Sequence, residues 1–324
     1  MFDRRAVVLA CLALGACASA SSAIKPLPYD EVLRRAAEES LKLETAQYTV
    51  DGTFDLHTKA SQAQGNVRID GVFADKGKQV QLQLDLTATY SGADGTANVI
   101  NGTTEVIVAG NDAVYMKLDS LTMQPENVLI PPEVLGRFAG KWWSLPGQTP
   151  VAAMQAAPDP SLLRAQSDVV SVTSDHGIEN LAGVPSYHYS VMLDPQKFVR
   201  YLSAIAEQKH RPFDATGELK SLESLKTDGE LWIDATSFAL RKVRWNLHDV
   251  PVTPGKGGTF NCAFTADVRN HNAAVKIVPP PDAKPFSPVM LLSEPIPENI
   301  PSPEHAVPAG QDATENLMDL INNQ

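Results

Sequence analysis

The chain has 324 residues, of which 43% are hydrophobic and 20% are charged, and its formal net charge at pH 7 is −11. Because an acidic surface repels polynucleotides, composition argues against nucleic acid as a partner. The chain has only three cysteines, which are too few for a disulfide framework, so a folded body of this size depends on its own hydrophobic core.

The N-terminus has the layout of an export signal. Two arginines precede an apolar run, and small residues then lead to a cysteine in the sequence Leu14-Gly15-Ala16-Cys17. The run is shorter than the about 20 apolar residues that a membrane-spanning helix needs. Residues 1–16 are therefore predicted to be a cleaved signal peptide. The alternative is ordinary cleavage after Ala18-Ser19-Ala20, which would release a protein without an anchor.

The same tetrapeptide resembles the lipobox of bacterial lipoproteins, in which the thiol is acylated and the cysteine becomes the new N-terminus. This resemblance implies that Cys17 is lipidated, as a diacylglyceryl-cysteine with chains such as palmitate. Each buried CH₂ stabilises membrane binding by about 0.8 kcal/mol, so two or three acyl chains would anchor the protein firmly to a membrane. The expected location is extracytoplasmic, on the cell membrane or the outer membrane. Residues 17–28 are Ser-rich and are predicted to be a tether.

The first folded element is predicted to be a one-sided helix at residues 29–44, where Leu33, Ala37 and Leu41 recur every four positions. From residue 47 the apolar period changes to two, which is typical of half-buried antiparallel strands. Five strands are predicted in succession, at about residues 47–56, 67–73, 80–86, 98–108 and 113–121. Consecutive strands of this kind form a meander.

The second half of the chain alternates helices and strands. A short helix is expected up to Phe138 and another between residues 159 and 166, and the Asp194-Pro195 pair is typical of a helix start. That helix is expected to end near Lys209. Strands are predicted at residues 169–179 and 184–193, which form a hairpin, and then at 229–234, 240–248 and 259–270.

This order of elements predicts an α+β fold. An antiparallel sheet of about ten strands must curl, so we expect a strongly curved half-open β-barrel with helices packed on its concave face. Residues 29–278 are expected to form this domain alone. Residues 279–324 are rich in proline and are predicted to be an extended tail, with a short helix at 312–321 as a candidate element.

Several phrases resemble a known family of lipoproteins. Besides the lipobox, they are Ala113-Val114-Tyr115-Met116-Lys117, Lys141-Trp142-Trp143, Gly183-Val184-Pro185-Ser186-Tyr187-His188-Tyr189, and the strand-turn-strand phrase of residues 231–243. They are similar to the mycobacterial-type lipoproteins LppX, LprA, LprF and LprG, and more distantly to the LolA and LolB fold. The resemblance spans about residues 29–270. It implies a half-open barrel that holds lipid acyl chains under its helices, in the cell envelope or periplasm.

No enzyme signature accompanies these features. The sequence has no H-E-x-x-H, G-x-S-x-G, P-loop or paired C-x-x-C motif, so we expect no enzymatic activity and no cofactor. The histidines are scattered without ligand spacing, so no metal site is expected. Cys262 has no partner and is expected to be a small apolar side chain in a strand.

These sequence features lead to two hypotheses about function. The first is a carrier that binds or transports a lipid or lipopeptide in an apolar cavity, with seven cavity-facing candidates: Phe54, Leu84, Met116, Trp142, Trp143, Tyr189 and Trp245. The second is an envelope adaptor with no lipid ligand, which would act through a protein partner. Periodicity places these side chains on strands but does not separate ligand contacts from core packing. A cavity of several hundred Å³ would favour the carrier, and a filled interior would favour the adaptor.

The lipid anchor can be tested by Cys17→Ser, which removes the thiol that would be acylated. We expect the variant to leave the membrane fraction and to lack the mass of the acyl chains, as measured by fractionation and intact mass spectrometry. Cys11→Ser is the matched control, since it changes a cysteine within the predicted signal. A Cys17→Ser chain that still partitions with membranes and keeps an acylated mass contradicts the lipobox assignment.

Overall fold

The computed structural model describes residues 25–92, 95–109, 113–125, 136–145, 169–208, 212–223, 225–252 and 257–286. The described residues belong to a compact unit that ends at Phe286. The predictions for the signal peptide, Cys17, the helix at 159–166 and the tail beyond residue 286 lie outside the described residues.

The described chain contains three α-helices, one 3₁₀ turn and twelve strands. The helices are α1 (Tyr29–Ser40), α2 (Pro195–Gln208) and α3 (Ala215–Glu223), and the 3₁₀ turn is Asp75–Gly77. The strands of the first half are β1 (Ala46–His57), β2 (Gln62–Ala74), β3 (Gln79–Ser91), β4 (Ala97–Val108), β5 (Val114–Gln124) and β6 (Trp142–Leu145). Those of the second half are β7 (Val170–Leu181), β8 (Val184–Leu193), β9 (Lys226–Asp234), β10 (Leu240–Pro251), β11 (Thr259–Arg269) and β12 (Lys284–Pro285).

All twelve strands join one sheet, in the order β12-β6-β5-β4-β3-β2-β1-β11-β10-β9-β8-β7. Two antiparallel meanders, β1–β6 and β7–β11, are joined where β1 pairs with β11, and β12 adds a parallel edge beside β6. The order ends on β7 and β12, so in the described part of the chain the sheet is curved and unclosed. The predicted half-open barrel of the α+β class is confirmed, with twelve strands where about ten were expected. β6 and β12 are too short to show a period of two.

Each strand presents one apolar and one polar side. In β1, Tyr48, Val50 and Phe54 point to the side that we call the apolar face, and Asp51 and Thr53 point to the polar face. The register of the ladders carries this division across the sheet, because directly paired residues share a face. The alternation read from the sequence therefore describes both faces of the folded sheet.

Helices α1 and α2 pack against the apolar face. Val32, Leu33 and Ala36 of α1 form a core cluster with β8, β9 and β10 that includes Tyr189 and Trp245, and Phe198 and Tyr201 of α2 pack against it. A second cluster continues along β1 to β4; its buried members are Leu43, Ala46, Tyr48, Phe73, Val80, Leu82, Val108 and Val268. Since full burial of one such side chain stabilises by about 1.5–3 kcal/mol, these clusters hold the helices to the sheet.

Three large rings of the apolar face each lie opposite a glycine of the neighbouring strand. The pairs are Tyr48 with Gly71, Phe54 with Gly65 and Trp245 with Gly229. A Cβ atom added to Gly71 would lie 2.4 Å from the ring of Tyr48, which is too close for a non-bonded contact. Glycine inside a strand often marks such a close approach, and here it gives the ring of the opposing strand its room.

Residues 270–286, the strap, cross the polar face from β11 to β6. At the start of the strap, the side-chain oxygen of Asn272 accepts the backbone N–H of Glu44 at 2.7 Å. Ile277 is buried against Ala74 and Ile107, and the strap ends in β12. The predicted domain ended at residue 278, whereas the structure carries the packed chain to Phe286. Ile277 and Phe286, which lie on either side of the prolines at 279–285, make apolar contacts in this segment.

Aspartates cap two of the helices. The carboxylate of Asp194 accepts the backbone N–H of Lys197 at 3.0 Å, as the predicted helix start requires, and α2 ends at Gln208. The carboxylate of Asp214 accepts the N–H groups of Thr216 and Gly217 in the same way and begins α3. The apolar pattern did not predict α3, because a nine-residue helix is too short to show a clear stripe.

The ring-over-glycine packing can be tested by Gly71→Ala. The added methyl group would overlap the ring of Tyr48, and overpacking of this kind lowers the free energy of unfolding by about 1–3 kcal/mol. Gly136→Ala is the matched control, since no atom lies within 4 Å of its added Cβ. Chemical denaturation measures both changes, and equal stability of the two variants would contradict the packing described.

Candidate functional site

A groove of about 690 Å³ lies between α1, the edge strand β7 and the start of α2. We call it the helix–sheet groove. Its apolar lining consists of Tyr29, Leu33, Ala37, Leu41, Val170 and Val172. Its polar lining consists of Asp30, Arg34, Glu38, Ser171 and Lys197. Ligand pockets typically have volumes of about 300–1,000 Å³, and the volume of this groove lies in that range. Its lining is divided about evenly between apolar and polar residues.

The position of the groove follows from the two sides of α1. Val32, Leu33 and Ala36 pack in the core cluster, while Ala37 and Leu41 are on the open side of the helix. Leu33, Ala37 and Leu41, four residues apart, line the groove. Residues spaced by three or four positions share one side of a helix, so the stripe that predicted α1 also forms one wall of the groove. Tyr29 and Leu41, at the two ends of this wall, are 46% and 49% exposed.

The opposite wall is the edge of the sheet. β7 is the last strand of the order, and its residues Val170 to Val172 line the groove. The ammonium group of Lys197 donates a hydrogen bond to the carbonyl of Val170 at 3.0 Å and thereby ties α2 to this edge. Because the sheet is unclosed here, the groove opens beside its free edge.

The charges around the groove are balanced and partly tied to one another. Glu31 accepts hydrogen bonds from Arg34 at 2.8 Å and from Arg35 at 2.6 Å, and Arg34 also bonds Glu38. The bond from Arg34 is the main reason that the pKa of Glu31 is lowered to about 2. Arg34 and Lys197 face Asp30 and Glu38 in the lining, so the rim selects neither sign of charge. Such a groove suits an apolar chain with a polar end.

Six of the seven predicted cavity-facing residues share the apolar face, but the described lining of the groove contains none of them. Tyr189 and Trp245 are buried in the core beneath α1. Leu84 packs against the second cluster, and Met116 is half-buried opposite Trp143. These residues form the packed body on which the groove rests.

Phe54 is the member of the seven in the described lining of a cavity, one of about 400 Å³ whose lining also contains polar-face residues such as Thr53 and Asn66. Cys262 lies directly opposite Phe54 on β11 and lines the same cavity. The side chain of Cys262 is half-buried, and its burial raises the pKa of the thiol.

The adjacent tryptophans lie on opposite faces of the sheet. Trp143 is buried on the apolar face, where it contacts the rings of Phe138 and Phe286 and donates its indole N–H to the carbonyl of Phe138 at 3.2 Å. Trp142 packs on the polar face with the strap, beneath the ammonium group of Lys117. Neighbouring residues of a strand alternate in direction, so both rings could not face one cavity.

The sequence did not predict which residues line the helix–sheet groove. The stripe of Leu33, Ala37 and Leu41 is visible there, but a helical stripe is normally core. Its partner wall on β7 lies more than 120 residues later in the chain. Only the tertiary structure shows that one side of α1 is packed while the adjacent side is open.

Two further observations concern the described residues. None of their helices is long and apolar enough to cross a membrane. Within the same residues, no group of three or more His, Cys, Asp or Glu side chains is arranged to hold a metal ion.

Comparison with known proteins identifies similar folds. No family model matches the chain, and a search of curated proteins found no match. Among solved structures, the chain is similar to LprF from Mycobacterium bovis, with 14% identity, a TM-score of 0.37, and coverage of 79% of this chain and 98% of LprF. LprF is one of the lipoproteins named above as similar in short sequence phrases.

Two other solved structures match more distantly. A β-barrel-like protein of a domain of unknown function from Brucella abortus has 8% identity and a TM-score of 0.26, with coverage of 69% of this chain and 98% of that chain. A protein of another uncharacterised family, from Desulfovibrio piger, has 8% identity and a TM-score of 0.20, with coverage of 77% and 95%. These likenesses describe the fold.

The ion pairs of α1 can be tested by titration. Glu31 has a pKa of about 2 in the folded chain, below its ordinary value of 4.5. The stabilisation from its bonds is therefore complete above about pH 4.5 and is lost as the pH falls toward 2. Carboxyl NMR of Glu31 measures the midpoint, and Arg34→Gln should raise it. A midpoint near 4.5 in the unchanged chain would show that these bonds do not persist in solution.

Proposed function

We propose that the chain is an exported lipoprotein, anchored through Cys17, that binds an acyl chain of a lipid or lipopeptide in the helix–sheet groove. The protein would act as a lipid carrier in the cell envelope and would perform no chemical reaction. Its partners would be the membrane that holds the anchor and the lipid that occupies the groove.

The observation that carries the proposal is the apolar wall of the groove. Ala37 and Leu41 face an open space of about 690 Å³, and Leu33, which packs in the core cluster, borders the same space. Open apolar surface is unfavourable in water, since each Å² removed from water contributes about 25 cal/mol. An acyl chain lying along α1 would cover this surface, while its polar end could reach the balanced charges of the rim.

A second candidate is the envelope adaptor, and one observation favours it. The core between α1 and the sheet is filled, since Val32 and Tyr189 have no exposed surface. The space between Val32 of α1 and Tyr189 of the sheet therefore has no room for a ligand, and a carrier would have to use the groove beside α1. In an adaptor, the exposed Tyr29 and Leu41 would contact a protein partner.

The two functions are separated by Ala37→Trp, which fills the groove with a large ring, and its matched control Ala37→Ser, which leaves the groove open. We expect the chain and the Ser variant to retain lipid in native mass spectrometry and to bind a fluorescent fatty acid. The Trp variant should bind that probe at least about tenfold more weakly, because its ring occupies the space of the acyl chain. Thermal unfolding of all three chains checks that the fold is kept.

The results distinguish the candidates directly. Lipid retained by the chain and lost in Ala37→Trp supports the carrier. Absence of bound lipid together with absence of fatty-acid binding in the unchanged chain contradicts the carrier and leaves the adaptor. Equal binding by the Trp and Ser variants contradicts the groove as the site.

A further inference from the structure

A second concave surface lies on the polar face, away from the helices. Two cavities of about 400 and 470 Å³ share Thr53, Asn66 and Thr87 in their linings, so they adjoin. The second cavity is lined by residues from β3 at one side to β10 at the other, with β2, β1 and β11 between them. We call this surface the polar trough. It crosses five neighbouring strands, a width of about 19 Å at the usual strand spacing.

The floor of the trough is made of two parallel rows of side chains. Strand register aligns Thr87, Asn66 and Thr53 with Ala263 and Asn246 in the first row. The second row runs beside it and consists of Asp85, Arg68, Asp51, Thr265 and Arg244. The second row therefore presents a polar group about every 4.8 Å across the sheet, whereas the first row is interrupted at Ala263.

The two rows differ in whether their polar side chains have partners within the described structure. In the second row, Arg68 bonds Asp51 at 3.0 Å, and Arg244 pairs with Glu230 at 2.8 Å. In the first row, the structure gives the side chains of Thr53, Asn66 and Thr87 no hydrogen-bond partner among the residues that it describes. All three side chains are exposed. Two hydroxyls and one amide thus stand in line on a concave floor, free to donate and to accept.

The charges of the trough restrict the chemistry of a ligand. Asp51 and Asp85 are matched by Arg68 and Arg244 in the second cavity, and Asp55 is the one further formal charge in the lining of the first, so the lining has one excess negative charge. A strongly charged ligand would gain little net attraction there. A neutral ligand with many hydroxyl groups would gain a hydrogen bond from each free Thr or Asn group, and its remaining hydroxyls could use the half-exposed charged groups.

We propose that the polar trough binds a neutral, extended oligosaccharide. The spacing of the strands is close to the length of one sugar unit in an extended β-1,4-linked glycan, so successive sugars would meet successive strands. This site is separate from the helix–sheet groove, and it would allow the protein to hold a glycan while the groove holds a lipid. The proposal does not depend on lipid binding.

The test uses isothermal titration calorimetry of the purified full chain with two neutral probes, cellohexaose and chitohexaose. We expect at least one probe to bind. The double variant Thr53→Val/Thr87→Val keeps shape and removes both hydroxyls, and it should raise Kd about tenfold, since two hydrogen bonds to the ligand are lost. Thr122→Val is the matched control: Thr122 is exposed on β5, outside the described lining of the trough.

The outcomes are decisive in both directions. Binding that weakens in the double variant and stays within about twofold in Thr122→Val supports the site. Failure of both hexasaccharides to bind, or equal Kd values for the double variant and the unchanged chain, overturns it. Ala37→Trp should leave glycan binding unchanged, so loss of the lipid function and loss of the glycan site are measured separately.

Discussion

The structure depends on the pairing of β1 with β11. This ladder runs from Gln47 opposite Arg269 to His57 opposite Thr259, and it joins the two meanders into one sheet. Its partners are more than 200 residues apart in the chain, so its formation closes a long loop at a large entropic cost. Helix α1 leads directly into β1 and packs on β8 to β10, while the strap leaves β11 and returns to β6. Both α1 and the strap therefore connect the two meanders that the β1–β11 ladder joins.

The positions of both candidate sites depend on the pairing of β1 with β11. The polar trough is centred on β1 and β11, and without their pairing its rows would be divided between two separate sheets. The helix–sheet groove needs α1 held across the second meander so that the helix lies beside the edge strand β7. One sheet thus offers a groove with an apolar wall and a charged rim at its free edge, and a polar trough near its centre. That division suits ligands of opposite chemistry, such as an acyl chain and a glycan.

Rings pack over small residues on the apolar face of the sheet. Gly65, Gly71 and Gly229 each admit a ring from the strand beside them, so large and small side chains interlock across the ladders. The hydroxyls of Tyr48 and Tyr189 are buried without hydrogen-bond partners in the described structure. Burial raises the pKa of both side chains, which are held as neutral phenols in the core. Their rings act here as packing groups.

The sequence by itself determined the local order of this protein: the stripe of α1, the period of two in β1 to β5, the hairpin β7–β8, and hence the α+β half-barrel. These features follow from neighbouring residues. Tertiary structure alone decided which apolar side chains are packed and which stay open. Tyr189 and Trp245 alternate as predicted but are covered by α1, Trp142 turns to the polar face, and Ala37 and Leu41 line a groove. The reason is that the sequence period determines which way a side chain points. The residues that pack against that side chain come from distant parts of the chain, and only the tertiary structure shows them.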